Sequence, residues 1–509
     1  MQVTTLVALT FAARIFINWA RRSLQLKKLP ALNLEATREN WRNTYLQSAR
    51  KLYHDGYKKY KDQVWLMATS DGRQNVVVPP QYLPELSKLP ESILSFPSAI
   101  MKVLEVDYTK TVPDEPVGPY CVRADLNPAL SRLTPIIYQE VKDAIKSEMP
   151  SCEDWTPVLI YQTLVRIIAR VSGRIFVGPE LCHDKDYLDT AINYTTELMQ
   201  AVQAVKKVHP LLRPFLAWRL PEVQNLKKRE DLAVRFFKPI VKARRDEAAL
   251  AACSNDPNYK KPDDMLQWFI NRSSDCKSQS TRHLVKMQLL MIFAGIHNTT
   301  VTTTNILYSL AVSPEYMQPL RDEIRTCMEG IQENPDDDNT HNDTARAEPL
   351  TQRALQQMKR LDSYMKETLR FYPPELTGQY IPPGTFIETP AQAIYQDSTH
   401  YPNSDTFDGF RFYKIRHPKL TGAEGSGAAI HARNQFVTCN EQNLAFGYGR
   451  HACPGRFLAA AEIKIILSSI LLGFDFKNSE DEVERYESHE IGRVVLPEAN
   501  KPLLFRRTG

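Results

Sequence analysis

The 509-residue chain is 43% hydrophobic and 24% charged, with 34 Pro and 19 Gly, a globular balance long enough for one large domain or several small ones. Its net charge of +5 comes without a dense basic block, which argues against a nucleic-acid partner. Eight cysteines (Cys121, Cys152, Cys182, Cys253, Cys276, Cys327, Cys439 and Cys453) show no CxxC pair and no even spacing. Neither a zinc site nor a disulfide framework is expected, and a reducing compartment fits best.

Val3 to Ala20 is mostly apolar and is followed by Arg21, Arg22, Lys27 and Lys28. At about 1.5 Å per residue this run approaches the hydrocarbon thickness of a bilayer. Arg14 and Asn18 interrupt it, so an interfacial amphipathic helix is the alternative to a spanning one. The expectation is a single-pass anchor over residues 1–22, with the basic cluster and the body on the cytosolic side. Leu29-Pro30 marks the break before a folded body over 30–509.

In the body, Trp41 to Lys61 has the spacing of an amphipathic helix. Val64–Ala68 and Asn75–Val78 read as two strands joined through Ser70-Asp71-Gly72. Residues 88–119 are punctuated by proline and read as an irregular loop able to cover a pocket. Helical patterns follow over 124–148, 156–174, 184–207 and 223–252.

Leu284 to Leu310 is apolar almost all round, as a helix buried in a large protein would be. Within it lies Ala294-Gly295-Ile296-His297-Asn298-Thr299-Thr300, where Gly295 leaves room for a ligand near the backbone and the threonines can bend the helix. His297 titrates near neutral pH and is suited to passing protons. Residues 331–349 are acidic and polar, a solvated loop, and 421–432 read as a flexible insertion rich in Gly and Ala. Glu367 and Arg370 share one face of a helix over 355–370, and Arg411 follows between aromatics in Phe407-Asp408-Gly409-Phe410-Arg411-Phe412.

Phe446-Gly447-Tyr448-Gly449-Arg450-His451-Ala452-Cys453-Pro454-Gly455-Arg456-Phe457 sets one cysteine in a glycine-rich loop ahead of an apolar helix over 459–472. Free N–H groups and the dipole at that helix start are expected to lower the thiol pKa. Arg450 and His451 are candidates to pair with carboxylates on a flat ligand, and Phe446 to shield the sulfur. Residues 493–507 alternate weakly and offer strands.

This loop resembles the heme-binding signature F-x-x-G-x-[RH]-x-C-x-G of the cytochrome P450 superfamily, with Phe446, Gly449, His451, Cys453 and Gly455 at its fixed positions. Residues 294–299 are similar to that superfamily's oxygen-activation motif [AG]-G-x-[DE]-[ST]-[ST]. Here they depart from it, with His297 at the acid position, Asn298 at the first hydroxyl position and Thr299 at the second. The pieces at 367–370 and 407–412 look like its E-x-x-R and F-x-x-x-R-F signatures, which implies Glu367 clamped between Arg370 and Arg411. Two features are unlike the family. The passage from Glu375 to Ile381 is short, and no W-x-x-x-R precedes the helix at 124–148, leaving Arg123 and Arg132 as stand-ins.

The resemblance implies a mainly α fold with a small β-rich subdomain, and heme b held by the Cys453 thiolate. It implies a monomeric monooxygenase that hydroxylates or otherwise oxidises an apolar small molecule. Electrons would come from NADPH through a cytochrome reductase docking on the Cys453 face, at the membrane surface of the endoplasmic reticulum. Arg170 to Cys182 and Leu504 to Arg507 are similar to filamentous-fungal biosynthetic members, which points to a terpenoid or meroterpenoid-type secondary metabolite. Two other readings stand beside it. Asn298 suits a heme-thiolate isomerase or dehydratase that needs no external electrons, and the short passage at 375–381 suits a heme-binding relic.

Overall fold

The computed structural model describes residues 24–32, 38–70, 74–111, 117–254, 257–273, 280–329, 350–374, 385–417, 427–479 and 483–508. The anchor expected over 1–22, the acidic loop at 331–349 and the short passage at 375–381 lie outside them. Among the described residues no helix is long and apolar enough to cross a membrane.

The main helices are α1 (Arg38–Lys59), α2 (Asn127–Glu148), α3 (Ile160–Phe176), α4 (Lys185–Lys207), α5 (Pro221–Ser254), α6 (Met265–Arg272), α7 (Thr281–Ala311), α8 (Met317–Glu329), α9 (Lys359–Phe371), α10 (Arg411–Arg416) and α11 (Arg456–Gly473). Their starts follow the capping rules. Asp184, Asp264 and Ser280 each accept a backbone N–H three residues on, satisfying donors that the first turn leaves free. Along α2, Leu130, Leu133, Ile137 and Val141 recur at helical spacing and are all buried. The long α7 runs through the middle of the core and packs on α3, α4, α5, α9 and α11. One hydrophobic cluster extends from Leu104 to Phe505.

The β structure is small and peripheral. β1 (Ala31–Leu32) pairs parallel with β2 (Trp65–Ala68), which pairs antiparallel with β3 (Gln74–Val77) in the register Trp65 opposite Val77. β3 then pairs parallel with β5 (Ile387–Glu388). A second sheet sets β9 (Leu503–Arg507) between β4 (Thr156–Val158) and β6 (Phe474–Asn478), and β7 (Ser488–Ile491) pairs with β8 (Val494–Pro497).

Four stretches differ from the sequence expectation. Residues 156–158, read as the start of a helix over 156–174, form strand β4 on β9, and the helix begins at Ile160. Residues 88–119 are not irregular throughout, because short helices form at Phe96–Val103, Val106–Thr109 and Val117–Cys121. Ser95 caps the first of these, with Pro97 in its opening turn where a missing N–H costs nothing. The helix expected over 355–370 breaks at Met358 (φ −70°, ψ 75°), so α9 starts afresh at Lys359. Residues 427–433, expected as part of a flexible insertion, are helical.

Two buried polar ties hold the helical body. Arg244 on α5 is bidentate to Asp264 at 2.7 and 2.8 Å and also reaches Glu180. Glu462 on α11 is buried and accepts from the Ser172 hydroxyl on α3 at 3.0 Å. Burial pushes the Glu462 carboxyl up to about 8.

Because that value lies above the unfolded one, the native state holds the proton more tightly. The linked stability is fully present below about pH 4.5, falls as pH rises towards about 8 and is constant above. Glu462→Gln keeps the acceptor and removes the titration. Across this window the unfolding free energy of the parent should therefore fall relative to that of the variant, on the order of a few kcal/mol. Parallel pH profiles would show that Glu462 does not titrate in the folded protein.

Candidate active site

The cysteine loop is built from backbone bonds and two left-handed glycines. Gly447 (φ +76°) and Gly449 (φ +61°) occupy a region that disfavours side chains, and a Cβ on Gly449 would lie 2.9 Å from Ser87 Cβ. The Cys453 N–H donates to the Phe446 carbonyl at 2.7 Å, closing the loop. Arg456 braces it from below, donating to the Cys453 carbonyl at 2.7 Å and the Val437 carbonyl at 3.0 Å. Asn127 at the start of α2 donates to the Pro454 carbonyl at 3.2 Å. Phe446 packs edge-on against Phe436, with ring centroids 5.2 Å apart.

The side chain of Cys453 is accessible, yet protein surrounds the sulfur closely enough for burial to dominate its acidity. Burial raises its pKa, while the backbone N–H groups of Gly455 and Arg456 and the Arg456 charge pull the other way. This corrects the expectation of a lowered pKa, because desolvation of the anion outweighs the donors at the helix start. A cation at the sulfur reverses the balance, since a coordinated thiol gives up its proton outright.

On α7, Ala294 and Asn298 are the exposed residues of a segment whose neighbours are buried or half-buried. Four residues apart, they share one face. The Asn298 amide N–H donates to the Ala294 carbonyl at 3.2 Å, which leaves its Oδ1 as an acceptor on that face. Thr299 is buried, and Thr300, Thr302 and Thr303 each bond back to a carbonyl four residues earlier.

Gly295 serves packing rather than ligand approach, because a Cβ there would lie 3.1 Å from the Phe176 ring of α3. His297 also points elsewhere. Its Nε2 donates to the Ile192 carbonyl of α4 at 2.8 Å, and its Nδ1 lies 3.4 Å from the Tyr161 hydroxyl of α3. The carbonyl can only accept, so Nε2 carries the proton and Nδ1 accepts from Tyr161. Burial lowers the His297 pKa. It is a neutral cross-tie between three helices and not on the Asn298 face, which corrects its reading as a proton-passing group near neutral pH.

The basic pair before the cysteine is already engaged by the chain. Arg450 donates to the Leu89 and Leu94 carbonyls, and its Nε lies 3.0 Å from His451 Nε2. His451 also lies 3.0 Å from a Glu91 carboxylate oxygen and stacks on Phe96 at 5.4 Å. Both residues therefore hold the 89–96 segment over the loop. Arg123 reaches only the Arg450 carbonyl, at 3.5 Å, and Arg132 is bidentate to Asp263.

Glu367 is fully buried, with Arg370 donating at 2.7 and 2.8 Å and Arg411 at 3.1 Å to each oxygen. The Asp408 N–H adds a further bond at 3.1 Å. The arginines' remaining donors fall on the carbonyls of Tyr395, Pro402, Asn403, Ser404 and Thr406. The sequence reading missed a second buried group on the same helix. Asp362 is held by Arg416 and by Lys464 at 2.9 Å, and accepts the Phe436 N–H at 3.0 Å. The signal was present as Asp362, Lys366 and Glu367, charged residues spaced along the buried face of α9.

A single soft donor met by the backbone N–H groups of Gly455 and Arg456, in a loop held open by two left-handed glycines, fits a metal cofactor ligated through sulfur. The cytochrome P450 family model matches residues 121–505.

The chain belongs to the cytochrome P450 family.

Among its relatives, the cytochrome P450 monooxygenase ATR3 of Stachybotrys chlorohalonatus is 34% identical over 85% of this chain and 88% of its own. TES1 of Alternaria alternata is 33% identical over 99% of this chain and 92% of its own. The monooxygenase penP of Penicillium crustosum is 34% identical over 90% and 85%. The P450 fold expected from the motifs, mainly helical with small sheets, is the fold observed. The chain is accordingly an oxidoreductase of the P450 monooxygenase type, a family whose chemistry rests on heme-thiolate iron.

Removing the Glu367 carboxylate would strand two buried guanidinium groups. Glu367→Ala should cost about 3–5 kcal/mol in unfolding free energy and lower the heme content of purified protein. A variant with parental stability and full heme occupancy would separate this group from the cysteine loop.

Proposed function

We propose that this P450 uses heme b and O2, with electrons from NADPH through a cytochrome reductase, to hydroxylate or otherwise oxidise an apolar secondary metabolite of terpenoid or meroterpenoid type. The observation that carries this reading is the accessible Cys453 side chain in its glycine-shaped loop at the start of α11, the helix on which α7 with its exposed Ala294 and Asn298 packs. The kinship with fungal monooxygenases supports the secondary-metabolite assignment.

In this reading Cys453 would hold the heme iron through its sulfur, and Phe446, Gly449 and Gly455 shape the loop around that sulfur. When bound, the heme would supply oxygen activation at thiolate-ligated iron. Asn298 presents Oδ1 on the exposed face of α7 and orients a water or a substrate hydroxyl there, because an amide holds a proton donor but does not relay a proton. Thr299, one residue on, or an ordered water, supplies the hydroxyl for proton transfer. Arg450 and His451 act one step back, holding the 89–96 segment against the loop. Exposed Arg433, Lys414 and Arg450 favour an acidic docking face on the reductase.

The membrane reading draws support from a surface patch. Leu211, Leu212, Phe215, Leu216 and Trp218 are exposed within eight residues, with Phe215 at 69% and Trp218 at 59%. Exposed Lys207, Arg219, Lys227 and Lys228 flank them. An apolar patch rimmed by basic side chains suits the headgroup region of an anionic leaflet. It fits an endoplasmic-reticulum enzyme with a cytosolic body anchored through residues 1–22.

Two measurements test the proposal. Reduced protein under carbon monoxide should give the spectrum of a thiolate complex, Cys453→Ser should lose it, and turnover of apolar terpenoids should require NADPH and reductase. Turnover without them would favour the isomerase or dehydratase reading that Asn298 supports, and failure to retain heme would favour the relic. Replacing Leu212, Phe215 and Trp218 together with serine should weaken binding to anionic vesicles at least several-fold while leaving the carbon monoxide spectrum intact. Unchanged vesicle binding would rule this patch out as a membrane contact.

A further inference from the structure

Beside the Glu367 clamp lies a cavity of about 80 Å³. Its lining includes Lys366, His400, Arg411, Phe412, Arg433 and Asn443. Lys366 is 4% exposed. Its ammonium has three protons but among the described residues meets one acceptor, the Arg433 carbonyl at 3.3 Å, and the Phe412 ring at 4.6 Å. The nearby carboxylates are already committed, Asp362 to Arg416 and Lys464 and Glu367 to Arg370 and Arg411. Among the described residues, the carboxylates Asp362 and Glu367, with Glu323 beside Lys464, thus stand against five buried cations, Lys366, Arg370, Arg411, Arg416 and Lys464. Such an excess is costly away from water unless an anion compensates it.

We propose that this cavity is a binding site for a small free carboxylate-type anion of acetate or formate size, held by Lys366 with Arg433 at the rim. A space for one water-sized probe needs only about 10–15 Å³ on the same measure, so the cavity has room for an anion of this size. Burial and the Arg416 charge lower the Lys366 pKa to about 7, so the ammonium form binds the anion and the neutral amine releases it. The other titratable or charged groups near this cluster are Asp362, Arg416, Lys464, Glu323, Cys439, His431, Arg411, Arg433 and His400. Burial raises Cys439 and lowers His431, which favours the neutral form of both. Every pH series is run in a His400→Gln background, which isolates Lys366 on the cavity wall.

The test is the thermal midpoint of the heme-loaded protein against sodium acetate at constant ionic strength. A saturable rise is expected, since a ligand of the native state stabilises it by mass action. Apparent affinity should fall at least ten-fold between about pH 6 and about pH 8.5, following loss of the Lys366 proton. Lys366→Met should abolish the saturable rise, and Arg433→Met, at an exposed position, should weaken it several-fold. A rise that does not saturate, or one unchanged in Lys366→Met, overturns the proposal. If Lys366→Met yields no holoprotein, the pH series and Arg433→Met decide, and an unchanged affinity in both overturns it equally.

Discussion

The burial of Glu367 between two arginines is the constraint from which the proximal half of the molecule follows. A carboxylate and two guanidinium groups out of water are tolerable only when nearly every donor and acceptor is used. The forks of Arg370 and Arg411 meet that requirement by drawing in carbonyls from 395 to 406, a stretch with little regular structure of its own. The neighbouring charges of α9 continue the same work further along the chain. Asp362 accepts the Phe436 N–H, Lys366 donates to the Arg433 carbonyl, and Arg416 donates to the Asn434 carbonyl at 2.9 Å. Tyr395 accepts the Leu444 N–H at 2.9 Å, and the Phe446 carbonyl receives the Cys453 N–H. The place of the sulfur is therefore set, link by link, by charged side chains on one buried helix face.

α7 solves a different problem, that of serving the core and an accessible face together. Successive residues of 294–298 look to different surroundings, as a rotation of about 100° per residue requires. Gly295 admits the Phe176 ring, His297 ties α3 and α4, and Ala294 and Asn298 share the exposed face. The threonines that follow satisfy themselves on their own helix, so the helix stays buried without stranded hydroxyls at Thr300, Thr302 and Thr303. This division explains how a motif can depart from its family at two adjacent positions with different consequences. Histidine at 297 changes how helices are joined, whereas asparagine at 298 changes what the exposed face of the helix presents.

Sequence made the helical body legible because its apolar spacing is regular, as along α2 and α7. The cysteine loop and the two clamp fragments were legible because their residue types are confined to short windows. Long-range partners were not. Glu91 and Phe96, which engage His451, lie some 350 residues upstream in a stretch whose prolines read as loop, though short capped helices form there. Nor does any local pattern say that Arg416 and Lys464 converge on Asp362, since those residues lie on three different helices. The Cys453 pKa was misjudged for a related reason. Helix-start donors can be read locally, but the depth of the sulfur depends on every element packed around it.

That depth also decides how charge is handled at the centre of the fold. An anionic sulfur there has the Gly455 and Arg456 N–H groups and the Arg456 charge to offset its desolvation, and among the described residues these do not suffice. Burial favours the neutral thiol. The loop contributes geometry rather than stored charge. A rigid backbone, fixed by two left-handed glycines and by the bond from Cys453 to Phe446, is the contribution that such a division of labour demands of the chain.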